Sequence, residues 1–73
     1  MSGVVKVIEL VGSSEESWEQ AAQNAVAQAS KTLKDLIGLE VVGWTADIKD
    51  GKLATYKANV KIAFLVKGSQ DLG

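Results

Sequence analysis

The sequence predicts an α+β fold, a single domain over residues 1–73 whose elements follow the order β-α-β-β. Three observations predict it. A β-branched run near the N-terminus, an apolar stripe of 3.6-residue period after it, and two strand-like runs joined at Asp50-Gly51 follow one another along the chain. No low-complexity segment, internal repeat or linker interrupts them.

The first strand is Val4-Val5-Lys6-Val7-Ile8-Glu9-Leu10-Val11, β-branched and bounded by Gly3 and Gly12. Gly12-Ser13-Ser14-Glu15-Glu16-Ser17 then carries the chemistry of a helix start. Ser13 with Glu16, and Ser17 with Gln20, both have capping-box spacing. Glu15, Glu16 and Glu19 suit the positive end of a helix dipole. The helix is expected from about Ser17 to about Leu36. Its apolar stripe is Trp18, Ala21, Ala22, Ala25, Val26, Ala29, Leu33 and Leu36. Most of it is alanine, so the helix axis can lie close to whatever it packs on. Lys31 and Lys34 would complement the C-terminal dipole, and Gly38 would stop the helix.

Leu39 to Lys49 and Lys52 to Lys67 read as the hairpin strands, because Asp-Gly between β-rich runs is a strong turn signal. In the last strand Ala54, Tyr56, Ala58, Val60, Ile62, Phe64 and Val66 share one face, which must meet the helix. With Asp50 and Gly51 as the turn, the ladder runs outward one for one. Val41 then faces Val60 and Leu39 faces Ile62 on the helix side. Glu40 faces Lys61, and Trp44 faces Lys57, on the other. That far face would carry Val42, Trp44, Ala46 and Ile48 with no second helix to cover them. An uncovered apolar face and open sheet edges point to self-association.

Composition narrows the function. A chain of 73 residues buries only about 60% of the surface its unfolded form exposes, so a solitary protomer is marginal. Disulfides, a metal or oligomerisation are the usual remedies. Cys and His are both absent, which removes disulfides, thiolate chemistry, the commonest general base and the commonest transition-metal ligand. Oligomerisation is left. The eight basic residues are all lysine, against nine Asp plus Glu, for a net charge of −1. Without Arg, the bidentate contacts that dominate nucleic-acid recognition are missing. The N-terminal apolar run, broken by Lys6 and Glu9, is too short and too charged for a signal peptide or a membrane span. A soluble, cytoplasmic protein is the expectation. At 47% hydrophobic and 23% charged residues, the chain is not disordered. With no His, Cys or Arg and no carboxylate pair spaced for acid–base work, it is not read as an enzyme.

The wording of the elements resembles one family. Val7-Ile8-Glu9-Leu10-Val11-Gly12-Ser13-Ser14, Ser17-Trp18-Glu19-Gln20-Ala21-Ala22 and Ala27-Gln28-Ala29-Ser30-Lys31-Thr32-Leu33 resemble the strand, turn and helix of dodecins. Leu39-Glu40-Val41-Val42, Asp50-Gly51-Lys52-Leu53-Ala54-Thr55-Tyr56 and Val60-Lys61-Ile62-Ala63-Phe64 resemble their hairpin. The resemblance implies a three-stranded antiparallel sheet wrapped partly around one helix. It also implies a homododecameric shell that binds or sequesters a small ligand, typically a flavin (riboflavin or FMN). In typical flavin-binding dodecins a Trp just before the Glu-Val of the second strand stacks on the isoalloxazine, and a Gln following the Tyr of the third bonds the flavin edge. Here Gly38 stands at the Trp position and Lys57 at the Gln position. Many bacterial members also have Thr-Arg-Gly where this chain has Trp44-Thr45-Ala46.

Gly38, Trp44 and Lys57 are therefore the candidate ligand residues. Strand parity puts Trp44 and Gly38 on the same helix-free face. Trp44 reads first as an anchor between subunits and second as a relocated platform for a planar ligand. Lys57 reads first as a solvated strand lysine; as a ligand contact it can only donate, where Gln both donates and accepts. Trp18 belongs to the packed stripe. The Ser13–Ser17 cluster reads as capping rather than phosphate binding, since three carboxylates would repel an anion. Asp47 and Asp50 lack the alternating loop of a calcium site, and no metal site is assigned. The alternative to a flavin-binding shell is a flavin-free assembly of the same kind with another ligand, an ion or a structural role.

Overall fold

The computed structural model describes residues 3–66. Strand β1 spans Val4–Ser14, helix α1 Trp18–Ala29, β2 Leu36–Lys49 and β3 Lys52–Val66, so the β-α-β-β order stands. The strands form one antiparallel sheet in the order β1-β3-β2, with the last strand at the centre. Asp50 and Gly51 take φ of 55° and 77°, the left-handed pair that a two-residue hairpin turn requires.

Ser17 caps α1: its backbone is extended and its Oγ accepts from the Gln20 N–H at 3.0 Å. Of the two capping spacings in the sequence, this is the one used. Ser13 lies inside β1, which runs three residues past the expected end, and Ser14 Oγ accepts from the Glu16 N–H at 2.9 Å instead. The helix ends at Ala29, well short of the predicted Leu36. The Ser30 hydroxyl donates back to the Ala27 carbonyl at 2.8 Å. The N–H groups of Lys31 and Thr32 close tight turns onto the carbonyls of Gln28 and Ala29. Asp35, at φ 60°, then swings the chain into β2. Lys31 and Lys34 thus lie beyond the helix, whose last turn has no basic residue, and Gly38 sits within a strand.

The core lies between one side of α1 and the central strand. Ala21, Ala25 and Ala29 meet Ala58, Val60 and Ile62, as the two periodicities predict. Gly12 explains how closely they meet. A Cβ at this position would collide with the Ala21 carbonyl and come within 3.0 Å of the Ala25 Cβ. What reads in the sequence as a strand boundary is the point where the helix backbone rests on β1.

A 12-residue helix is about 18 Å long, whereas a 15-residue strand extends about 50 Å. The molecule measures 55 × 20 × 12 Å, so α1 covers about a third of the sheet's length. It lies over β1 and β3, and β2 runs alongside it. Among the described residues the largest fully buried side chains are Ile62 and Val60, and ten large apolar residues are exposed. So thin a core leaves much of the hydrophobic driving force unspent within one protomer.

Candidate functional site

The two ends of the hairpin keep the simple register, and the middle does not. Leu39 faces Ile62, Glu40 faces Lys61, Val41 faces Val60 and Lys49 faces Lys52, all as the turn predicts. Between them Gly43 faces Asn59, Trp44 faces Ala58, Thr45 faces Lys57 and Ala46 faces Tyr56. Val42 is an extra residue in β2, and Ala54 is an extra residue in β3 close to the turn. The two bulges compensate, so the segment between them slips by one position while Gly38 to Val41 keeps the simple register; a third shift, at Ile37, displaces Leu36 at the start of β2.

That slip corrects the expected site. Trp44 shares a side with Ala58, and Ala46 with Tyr56, so both lie on the helix side of the sheet and not on the helix-free face. Gly38 and Lys57 do lie on the helix-free face, level with Ala63 and Thr45. Parity counted from Gly38 to Trp44 fails because it steps across the Val42 bulge. Apolar character on the helix-free face comes instead from Val5, Val7 and Val11 of β1, with Ala63 and Leu65 of β3.

Gly38 has open space where a side chain would project, with no atom within 4 Å of an added Cβ. Lys57 has an unforeseen partner: its Nζ lies 3.3 Å from Asp47 Oδ1. Both groups are substantially solvated, so the pair contributes at most about 1 kcal/mol. Across the sheet Lys57 is level with Ser13 on one side and Thr45 on the other. A second polar row, Glu9–Lys61–Glu40, crosses all three strands on the same face. The Glu40–Lys61 match was legible in the sequence; Glu9 joined it only when β3 became the central strand. Gly38 is level with Ala63, six residues from Lys57 along β3, which separates them by about 20 Å. A single planar ring system does not reach both on one protomer.

Trp18 lies half-buried at the start of α1, as its place on the stripe predicts. Its indole N–H donates to the Thr45 carbonyl at 2.7 Å. Its ring meets Tyr56 edge to face, with centroids 4.7 Å apart at 68°. The Asn24 amide also ties the helix to β1, and the Gln20 amide braces Asn24 from within the helix. Asn24 Nδ2 donates to the Ser13 carbonyl and Gln20 Nε2 to Asn24 Oδ1, each at 2.9 Å. Neither residue belongs to the apolar stripe, and no local signal in the sequence marks these contacts. An open hollow of about 390 Å³ at the helix start is bordered by Ser14, Glu15, Glu16, Gln20 and Asn24. Among the described residues no three acidic side chains are grouped to hold a metal ion. None of their helices is long and apolar enough to cross a membrane.

Known proteins share this arrangement. The family model described as Dodecin matches residues 4–67. The dodecin of Thermus thermophilus is 39% identical over 64 residues, covering 88% of this chain and 93% of its own. The calcium dodecin of Mycobacterium tuberculosis is 31% identical over 67 residues, covering 92% and 94%. Among solved structures, the dodecin of Streptomyces coelicolor superposes with a TM-score of 0.85 at 36% identity, over 88% of this chain and 91% of that one. The M. tuberculosis calcium dodecin, described as calcium-chelating with a novel calcium-binding site, gives 0.78 at 33% identity, over 92% and 96%. The similarity runs through all three strands and the helix rather than resting on one motif, and the chain belongs to the dodecin family.

Proposed function

We propose that this chain is a non-enzymatic homododecameric shell that takes a small planar ligand of the flavin class on the helix-free face, in a family site weakened by its own sequence. Dodecins are small homo-oligomeric binding proteins, and the thin protomer core calls for assembly. One observation carries the reading: Gly38 points into open space on the helix-free face, so the platform is missing while the room for it remains. Stacking on an aromatic side chain is worth about 1–3 kcal/mol, so its loss costs about one to two orders of magnitude in affinity. Lys57, paired with Asp47, supplies donors but no acceptor to a ligand edge. Since Gly38 and Lys57 are too far apart for one planar ring system within a protomer, they act together only where copies meet.

Native mass spectrometry of the purified protein should show twelve copies, and fluorescence titration should show riboflavin and FMN binding weakly. A stable monomer at micromolar concentration contradicts the shell, and nanomolar flavin binding contradicts the weakened site. The name of the M. tuberculosis relative favours a second reading, an ion-binding shell. With no three acidic groups together among the described residues of one protomer, such an ion would draw its carboxylates from several copies. Calorimetric titration with calcium separates the two readings.

A further inference from the structure

We propose that the helix side of β2 is a contact surface for a second copy of this chain, with Trp44 as its anchor. The proposal rests on the homo-oligomeric reading and adds which surface does the joining.

Six residues of β2 face the helix side: Leu36, Leu39, Val41, Trp44 and Ala46, level with Phe64, Ile62, Val60, Ala58 and Tyr56 of β3, and Ile48 at the hairpin tip. None is charged. The acidic residues of the strand, Glu40 and Asp47, are level with Lys61 and Thr55 on the opposite side. Helix α1 lies over β1 and β3, so this row flanks the core without a roof of its own. Leu36 and Val41 are half-buried against the core, whereas Leu39 is 40% and Trp44 50% exposed.

The backbone places Trp44 there. In the plain register set by the turn it would stand opposite Lys57, between Thr55 and Asn59 on the polar side. The paired bulges at Val42 and Ala54 instead turn the largest side chain of the strand onto the apolar row. Trp18 secures the neighbouring backbone through the Thr45 carbonyl. Trp44 itself has no ring partner among the described residues. A half-exposed indole on a rigid apolar strip is the type of residue that dominates subunit contacts. A second copy is the fitting occupant because the uncharged row, the outer edge of β2 and the small protomer core all need cover, and the family assembles from identical chains. A planar ligand on Trp44 is the competing occupant, and the experiment separates them.

In Trp18→Phe protein Trp44 is the single tryptophan. Its emission should be blue-shifted and shielded from iodide in the ligand-free assembly, and exposed once dilution or mild denaturant separates the subunits. Trp44→Ala should raise the concentration at which the assembly falls apart by about 30-fold or more, the scale of an interface hot spot. Trp44→Phe should recover part of that loss. Circular dichroism checks that each variant is folded, and the single-tryptophan emission needs no change at Trp44. A water-exposed Trp44 in the intact oligomer, shielded only when riboflavin is added, overturns the proposal in favour of a ligand platform. So does a Trp44→Ala protein that assembles like the parent. A parent chain that is itself monomeric overturns the homo-oligomeric reading, and this proposal with it.

Discussion

Strands β1 and β2 flank the same central strand, yet they pair with it differently. β1 keeps one register with β3 from Val4 to Ser14 without a shift. β2 changes register at three places over a similar length. The difference follows the helix. α1 lies on β1 so closely that Gly12 can carry no side chain, and a bulge there would lift the helix off its alanine stripe. Beside β2 no such constraint operates, and Gly38 and Gly43 have nothing within 4 Å of an added Cβ. Regular pairing is found where packing demands it, and irregular pairing where the surface is open. Two of the three candidate ligand residues, Gly38 and Trp44, lie on the irregular strand.

The largest expected effect tests that contrast directly. Gly12→Ala should destabilise by about 3 kcal/mol, the upper end of what overpacking costs, because the obstruction is a backbone carbonyl. The same change on the other strand, Gly43→Ala, should stay within about 0.5 kcal/mol. Chemical denaturation of both variants measures the difference, and equal midpoints would break the comparison. Next comes the helix side of the same contact. Ala25→Leu, where the native residue is 4% exposed, should cost roughly 1–3 kcal/mol; an unchanged thermal midpoint would mean that α1 is not seated as described.

A third change asks whether the open strand accepts new function without loss of stability. Gly38→Trp with Lys57→Gln restores the side chains that flavin-binding relatives carry. The double variant should gain about 10- to 100-fold in flavin affinity, from about 1–3 kcal/mol of stacking, and should quench flavin fluorescence. Lys57→Gln alone should do little. Trp44 lies on the opposite side of the sheet, so it cannot fill the space of the new indole within a protomer. A double variant that assembles like the parent and binds no flavin rejects a latent flavin site. The smallest effect concerns the slipped segment itself. Lys57→Ala removes the partner of Asp47 and should cost at most about 1 kcal/mol, less in high salt. A loss of several kcal/mol would show that this ion pair, and not packing, holds the middle of β2 in its shifted register.

The sequence by itself determined the order of elements, the Asp50-Gly51 turn, the alanine stripe and the inward face of β3. Each depends on chemistry within a few residues: a capping serine, a left-handed turn pair, or a periodicity that holds while the chain is regular. The family, too, was legible from residues spread over nearly the whole chain. Three things were decided only by tertiary structure. The helix stops at Ala29 although the apolar spacing continues through Leu33 to Leu36, because those two leucines pack beside the core from a turn and a strand. Gly12 reads as a boundary in one dimension and is a contact between backbones in three. Trp44 changes faces because two compensating bulges, each a single extra residue, leave both ends of the hairpin in their expected register. A bulge is a small local distortion with no firm residue signature, and its place depends on which side chains can be accommodated beside the helix. A parity count from either end therefore cannot see it, and the face of Trp44 followed from packing rather than from pattern.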